Sequence, residues 1–260
     1  MAQVFIFGLG YSASRIAEAL EMRGWRIDAT GSAGNIDFAD ESAVRAALSC
    51  ANHVLSSVPP DRDSGADPVL ERYGGALDGK WLAYLSSTGV YGDTRGAWAD
   101  ESAPTGTGRR SARAQADAQW LELGARLFRL PGIYGPGRSA LDRVRKGKAR
   151  RIDLPGQVFS RVHVDDIVSG VTAAMEHDAP PGAYNLADDL PASNNAVIEE
   201  ACRLLGVTPP PLESLDEADL SPMARAFYLE NRRVANGKAK RVFGWRPRYP
   251  TYKVGLAGLI

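Results

Sequence analysis

The sequence predicts an α/β fold, a doubly wound parallel sheet with a smaller C-terminal lobe. Three observations carry this. Apolar stretches of strand length alternate with helical patterns along most of the chain. A small-residue turn, Gly8-Leu9-Gly10-Tyr11-Ser12-Ala13, joins the first apolar stretch to the first helical one. A hydroxyl cluster, Ser86-Ser87-Thr88, closes a later strand, and ligands of parallel sheets bind outside the carboxyl ends of their strands.

At 260 residues the chain is long enough for one large domain or a domain with a lobe attached. Its 31 Lys+Arg balance 31 Asp+Glu, and no block of five like charges occurs. Neither nucleic acid nor an anionic membrane is therefore expected as the main partner. The local basic excess from Arg143 to Arg151 reads as a solvated helix end or as an anion-binding stretch. Cys50 and Cys202 lie far apart and lack metal-ligand spacing, so neither a disulfide framework nor a metal site is expected. The apolar start is too short for a signal peptide, and no run approaches the roughly 18 to 20 apolar residues of a membrane span. A soluble, cytoplasmic protein is the expectation.

In chain order, Val4-Phe5-Ile6-Phe7 is the first strand, and Ala13, Ile16, Ala17 and Leu20 mark one face of the first helix. Between them Gly8 allows a tight turn, Gly10 lets the backbone approach a pyrophosphate, and Ala13 lets the helix pack closely on the strand. Leu9, Tyr11 and Ser12 complete the turn, whose unpaired N–H groups face phosphate. A glycine turn in any α/β protein has the same residues; the strand-turn-helix context favours a dinucleotide fingerprint.

Gly24 ends the helix, and Trp25 to Thr30 is the second strand. Past it, Gly31-Ser32-Ala33-Gly34 holds no acid to bond a ribose 2′-hydroxyl and no arginine for a 2′-phosphate. This favours NADP, with Ser32 as a phosphate ligand, and leaves NAD open. Asn35 to Asp40 reads as a short third strand leading to a helix over 41–48, with Asp37 and the Phe38 backbone placed to meet an adenine or simply to cap that helix. His53 to Val58 is a fourth strand whose exit, Ser57-Val58, is expected to abut the cofactor. Asp67-Pro68 starts a further helix. Trp81 to Leu85 is the fifth strand and delivers Ser86, Ser87 and Thr88 to the cofactor side. Ala183 to Leu186 is a late strand, and Ser193 introduces a helix through Leu205 that ends at Gly206. Thr208-Pro209-Pro210-Pro211 is a rigid connector.

Ser86-Ser87-Thr88-Gly89-Val90-Tyr91-Gly92 resembles the fifth-strand motif of the extended short-chain dehydrogenases/reductases, a Rossmann-fold family. Arg129-Leu130-Pro131-Gly132-Ile133-Tyr134-Gly135-Pro136-Gly137 is similar to the family's sixth-strand exit, Arg161-Val162-His163-Val164-Asp165-Asp166 to its HVDD segment, and Phe243-Gly244-Trp245-Arg246-Pro247 to its terminal LGWxP. The resemblance spans nearly the whole chain in the right order. It implies a dinucleotide-binding domain over 1–132 and 163–187 and a substrate lobe over 133–162 and 188–260.

The resemblance also implies roles. Ser87 matches the catalytic Ser/Thr that hydrogen-bonds the substrate oxygen, with Thr88 and Tyr91 beside it. Pro131 and Ile133 match positions that meet the nicotinamide. Arg138 and Arg161 match the region that contacts an anionic substrate group, which a guanidinium suits. One departure stands out. The family's YxxxK tyrosine and lysine are replaced by Arg109 and Arg113, and arginine cannot shuttle protons near neutral pH. Arg113 retains the charge to hold ribose hydroxyls. The literal Tyr249-Pro250-Thr251-Tyr252-Lys253 is accidental, since its proline breaks helical geometry. Of the remaining phenols, Tyr91 and Tyr134 fit packing better than catalysis.

The pattern is similar to the atypical, epimerase/dehydratase-like branch of the family. It implies an NAD(P)-dependent oxidoreductase or epimerase/dehydratase acting on a small sugar-like or anionic substrate. The other reading open here is a dinucleotide-binding sensor or scaffold that lost turnover. Helices on the outer faces of the sheet are compatible with a homodimer.

Overall fold

The computed structural model describes residues 2–108 and 111–260. In chain order the elements are β1 (Gln3–Phe7), α1 (Tyr11–Glu21), β2 (Arg26–Ala29), α2 (Glu41–Cys50), β3 (His53–Ser56), α3 (Pro68–Tyr73) and β4 (Trp81–Ser87). There follow β5 (Trp98–Ala99), α4 (Ser111–Glu122), β6 (Arg126–Leu130), β7 (Gly132–Tyr134), α5 (Ala140–Arg145), β8 (Arg151–Ile152), β9 (Arg161–His163) and α6 (Val164–Glu176). The chain closes with β10 (Gly182–Asn185), α7 (Asn194–Leu205), β11 (Leu212–Glu213), α8 (Pro222–Phe227), β12 (Arg233–Val234), α9 (Gly237–Val242) and α10 (Tyr252–Ala257).

Six strands form one parallel sheet in the order β10-β6-β4-β3-β1-β2. Because side chains alternate along a strand, both faces of β1 are buried. Val4 and Ile6 pack with Ile16 and Leu20 of α1 and Ile167 and Val171 of α6. Phe5 and Phe7 pack on the other face with Val44 and Leu48 of α2, Tyr73 and Trp120. The carboxyl ends of β1, β3, β4 and β6 consequently open to one edge, with the order reversing beside β1. No helix among the described residues is long and apolar enough to cross a membrane.

Several local signals act as read. Asp67 caps α3 by accepting the N–H groups of Val69 (2.9 Å) and Leu70 (3.1 Å), and its other oxygen takes the indole N–H of Trp120 at 2.8 Å. Ser193 caps α7, which ends at Gly206 with φ +68. The N-cap of α6 is His163, which leaves Asp166 free to accept the N–H groups of Arg248 (2.6 Å) and Tyr249 (3.1 Å) and so to anchor the C-terminal segment.

The expected strand over Asn35 to Asp40 does not form, so the strand at His53 is the third of the sheet. A single bridge joins Thr30 to Ile36. The reason is local: Asn35 uses its side chain where a neighbouring strand would use its backbone, accepting from the Ala29 N–H at 2.8 Å and donating to Asp28 at 2.9 Å. The chain then turns through Asp37 to Asp40, and Asp40 caps α2.

Candidate active site

The glycine-rich turn is clasped by the two strands beside it. Gly8, at φ +82, donates its N–H to Thr30 Oγ1 at 3.2 Å, and Leu9 donates to the Thr30 carbonyl at 2.9 Å. The Ser57 hydroxyl donates to the Gly8 carbonyl at 2.5 Å. A Cβ on Gly31, itself at φ +107, would lie 2.7 Å from the Leu9 nitrogen. Gly10 is the N-cap of α1 with no side-chain capping bond, so the first-turn N–H groups point outward unclaimed. Gly8, Leu9 and Val58 lie behind the turn, whereas Gly10, Tyr11, Ser12, Ala13 and Ser57 line a cleft of about 480 Å³.

Ser86, Ser87, Thr88, Arg113, Pro131 and Ile133 line the same cleft, from the ends of β4 and β6 and from α4. The Ser87 Oγ accepts the Gly89 N–H at 3.1 Å, which leaves its proton free to donate into the cleft. Arg113 Nη1 donates to the Tyr84 hydroxyl at 2.7 Å. Arg109 lies outside the described residues. Among the described residues that line the cleft there is no His, Asp, Glu, Lys or Cys. The one phenol, Tyr11, donates to the Pro136 carbonyl at 3.1 Å, and burial raises its pKa above the usual phenol value.

Two expected site residues have their side chains engaged by the fold. Tyr91, expected beside Ser87, is buried; its hydroxyl donates to Asn185 Oδ1 at 2.8 Å and accepts from Arg129 at 3.0 Å. Burial raises its pKa, so it has neither the position nor the acidity for proton transfer. The Ser86 hydroxyl donates to Asp117 at 2.5 Å rather than to a ligand. Both belong to a network built on Arg129, whose guanidinium meets Asp117 through two bonds of 3.1 and 2.7 Å, with side-chain exposures of 4% and 2%. Burial works against the Arg129 charge, but the hydrogen bonds and charge of Asp117 and Tyr91 together more than offset it and raise its pKa. Asp117 is legible as the acid four residues beyond Arg113; its partner on β6 is not, because nothing local couples a helix residue to the next strand.

No family model matches the chain. A functionally unknown conserved protein from Silicibacter pomeroyi is 41% identical, with a TM-score of 0.88 over 100% of this chain and 98% of that one. The dTDP-glucose 4,6-dehydratase of Bacillus anthracis in complex with NAD superposes with a TM-score of 0.76 at 17% identity, over 99% of this chain and 94% of that one. A human epimerase family protein with NADPH gives 0.77 at 15% identity, over 99% and 98%. By fold, the chain is a parallel Rossmann-type sheet flanked by helices, like these two dinucleotide-bound structures. It belongs to one family with the Silicibacter protein. A Streptomyces 3-diazoavenalumate denitrifying reductase is 32% identical over 159 residues, 55% of this chain; the chain spans about half, 51%, of that relative.

Within this Rossmann-type fold, Gly31, Gly34, Asp37 and Phe38 line a shallow pocket past β2, and Ser32 is exposed beside it. Asp37 is engaged with the Ala39 N–H at 2.9 Å. The Phe38 carbonyl takes the Tyr73 hydroxyl at 2.5 Å, which leaves only its N–H side for an adenine. The acid nearest the β2 exit, Asp28, is buried and tied to Gln3 and Asn35.

Beyond Ile133 a second cavity, of about 360 Å³, holds both arginines assigned to the substrate side, Arg138 and Arg161. Arg138 also reaches the first cleft, its guanidinium 5.6 Å from the Tyr11 ring centre. Arg161 donates to the carbonyls of Phe159 (2.9 Å), Ala192 (2.8 Å) and Ser193 (3.4 Å). Arg143 lines this cavity as well, and Arg232 lines the first cleft. Neither was expected there, since a basic run reads equally as a solvated helix end.

Beside Arg161, Asp188 has one buried oxygen without a hydrogen-bond partner, and burial pushes its pKa up to about 7 from 3.8. The fold thus favours its protonated form, so this contribution to stability is complete below about pH 4 and is lost as pH rises through about 7. Asp188→Asn is expected to stabilise the protein at pH 8 relative to wild type, by on the order of 1 to 3 kcal/mol, and to have little effect at pH 4. Urea unfolding across that range is the check; an unchanged slope contradicts it. Asp166, pushed up to about 6 by burial, keeps part of the slope in the variant.

Proposed function

We propose that the protein is an NADP-dependent oxidoreductase acting on a small anionic substrate. The observation that carries the reading is one continuous cleft in which the phosphate-binding turn at Gly10 to Ala13, the Ser87 hydroxyl and the exit Pro131 to Ile133 face one another. In this reading residues 1–132 and 163–187 hold the dinucleotide, and 133–162 with 188–260 supply the substrate lobe. The human fold neighbour carries NADPH and the Bacillus one NAD. The acid-free stretch after β2 supports NADP here, with Ser32 beside the 2′-phosphate.

A bound nicotinamide supplies or accepts a hydride. Ser87 donates its free proton to the substrate oxygen and stabilises charge building there. Arg113, held by Tyr84, contributes fixed positive charge and reaches the ribose hydroxyls. No group near neutral pKa lines the cleft among the described residues, so the proton that completes a reduction comes from water. That same feature favours a second reading, a dinucleotide-binding sensor without turnover.

Tryptophan-to-nicotinamide energy transfer measures the first half of the proposal. NADPH is expected to bind more tightly than NADH; the reverse order overturns the cofactor choice, and no binding below millimolar concentration overturns both readings. Turnover on a carbonyl panel decides between them. Ser87→Ala is expected to lower kcat roughly 100-fold with little change in the NADPH Kd.

A further inference from the structure

The second cavity differs chemically from the cleft it adjoins. The two share Gly132, Ile133, Arg138 and Phe227, so a molecule seated in the cavity extends toward the cleft that holds Ser87. Its charged lining is Arg138, Arg143, Lys146, Lys148 and Arg161 against the single carboxylate of Asp142. One oxygen of that carboxylate already takes the N–H and hydroxyl of Ser139, at 2.8 and 2.6 Å. No carboxylate among the described residues forms an ion pair with Arg138, Arg143 or Arg161. Arg143 and Arg161 are close enough to repel each other, and burial lowers the pKa of both. Arg161 at least has three carbonyl acceptors. The Arg143 guanidinium has no hydrogen bond to any described residue. Arg143 is exposed, and with no carboxylate paired to it its guanidinium is available to an anion entering the cavity.

The rest of the lining says what the anion is attached to. Ile133, Val197, Phe159, Phe227, Tyr252 and Leu256 are apolar or aromatic, and Phe159 and Phe227 stack with ring centres 4.3 Å apart. Three neutral polar side chains each make a bond within the fold, while the buried Tyr134 hydroxyl has no partner among the described residues. Ser160 Oγ accepts the Val234 N–H at 2.9 Å, Asn194 Nδ2 donates to the Arg150 carbonyl at 3.2 Å, and Ser139 Oγ is held by Asp142.

We infer that this cavity holds a compact aryl carboxylate, with Arg143 gripping the carboxylate alongside Arg138 and Arg161 and the ring lying against Phe159 and Phe227. This rests on the reading above, in which the neighbouring cleft holds the dinucleotide, and it names the substrate class. The guanidinium gives two parallel donors to a carboxylate, and the aromatic wall buries the ring.

The test is titration calorimetry of the NADPH-saturated protein with 4-hydroxycinnamate, its methyl ester, UDP and inorganic phosphate. The carboxylate is expected to bind most tightly of the four and its neutral ester at least about tenfold more weakly. Arg143→Met is expected to weaken 4-hydroxycinnamate binding about tenfold or more and to leave the NADPH Kd and the Tm unchanged, since the side chain is exposed and pairs with no carboxylate among the described residues. Tighter binding of UDP than of 4-hydroxycinnamate overturns the proposal. So does unchanged carboxylate binding by Arg143→Met, or a fall in its Tm, which would mark the arginine as structural. Normal NADPH binding without carboxylate binding overturns this inference alone; loss of NADPH binding by the wild-type protein overturns the functional reading itself.

Discussion

Gly10→Val is expected to abolish dinucleotide binding while the protein folds as before. The backbone there is extended, at φ −91 and ψ −170, a conformation any residue adopts, and a Cβ on Gly10 meets no atom within 4 Å. The fold therefore has room for the side chain. The ligand does not, because the pyrophosphate must approach this backbone to reach the first-turn N–H groups of α1. Loss of one or two charge-assisted hydrogen bonds corresponds to a roughly 100-fold rise in the NADPH Kd. Fluorescence titration reads the affinity, and an unchanged Tm shows that folding is intact. Binding within a few-fold of wild type would move the dinucleotide away from this turn. Gly8→Val makes the contrast: at φ +82 and with a Cβ 3.0 Å from Val58, it is expected to lose stability as well.

Asp117→Ala is expected to cost about 3 to 5 kcal/mol of stability, because it leaves the Arg129 guanidinium buried without its counter-ion. For a domain of this size that is a drop in Tm of roughly 10 °C. Ser86 loses its acceptor in the same step, and the strand end carrying Ser87 loses its tie to α4. Turnover is therefore expected to fall along with stability. Pairing Asp117→Leu with Arg129→Met removes both charges and is expected to recover most of the lost stability without recovering the position of Ser87. Guanidinium unfolding of the two variants checks the first expectation. Equal stability of Asp117→Ala and wild type would show that the pair contributes only geometry.

Much of the site is written in short, contiguous motifs. The turn Gly8 to Ala13 and the exits carrying Ser87, Pro131 and Ile133 each consist of neighbouring residues whose conformation is local, and the parallel sheet brings their ends to one cleft. The partners of Tyr91 and Ser86 were not legible, for the opposite reason. Both stand in the right motif, yet their side chains are claimed by Arg129 and Asp117, which come from a different strand and helix. Asn35 likewise replaced an expected strand by a turn, since its amide satisfies the edge of β2 more directly than another strand would.

The sequence by itself determined the α/β alternation, the place of the glycine-rich turn, the hydroxyl at Ser87 and the arginines at 109 and 113. These depend on periodicity, on backbone freedom and on residue identity, all of which are local. Only the tertiary structure decided which charges are paired. It gave Arg129 a buried carboxylate and left Arg143, one cation in a run of several, facing a cavity with no carboxylate paired to it among the described residues. Pairing is set by distance and burial across elements, and neither is encoded in spacing along the chain.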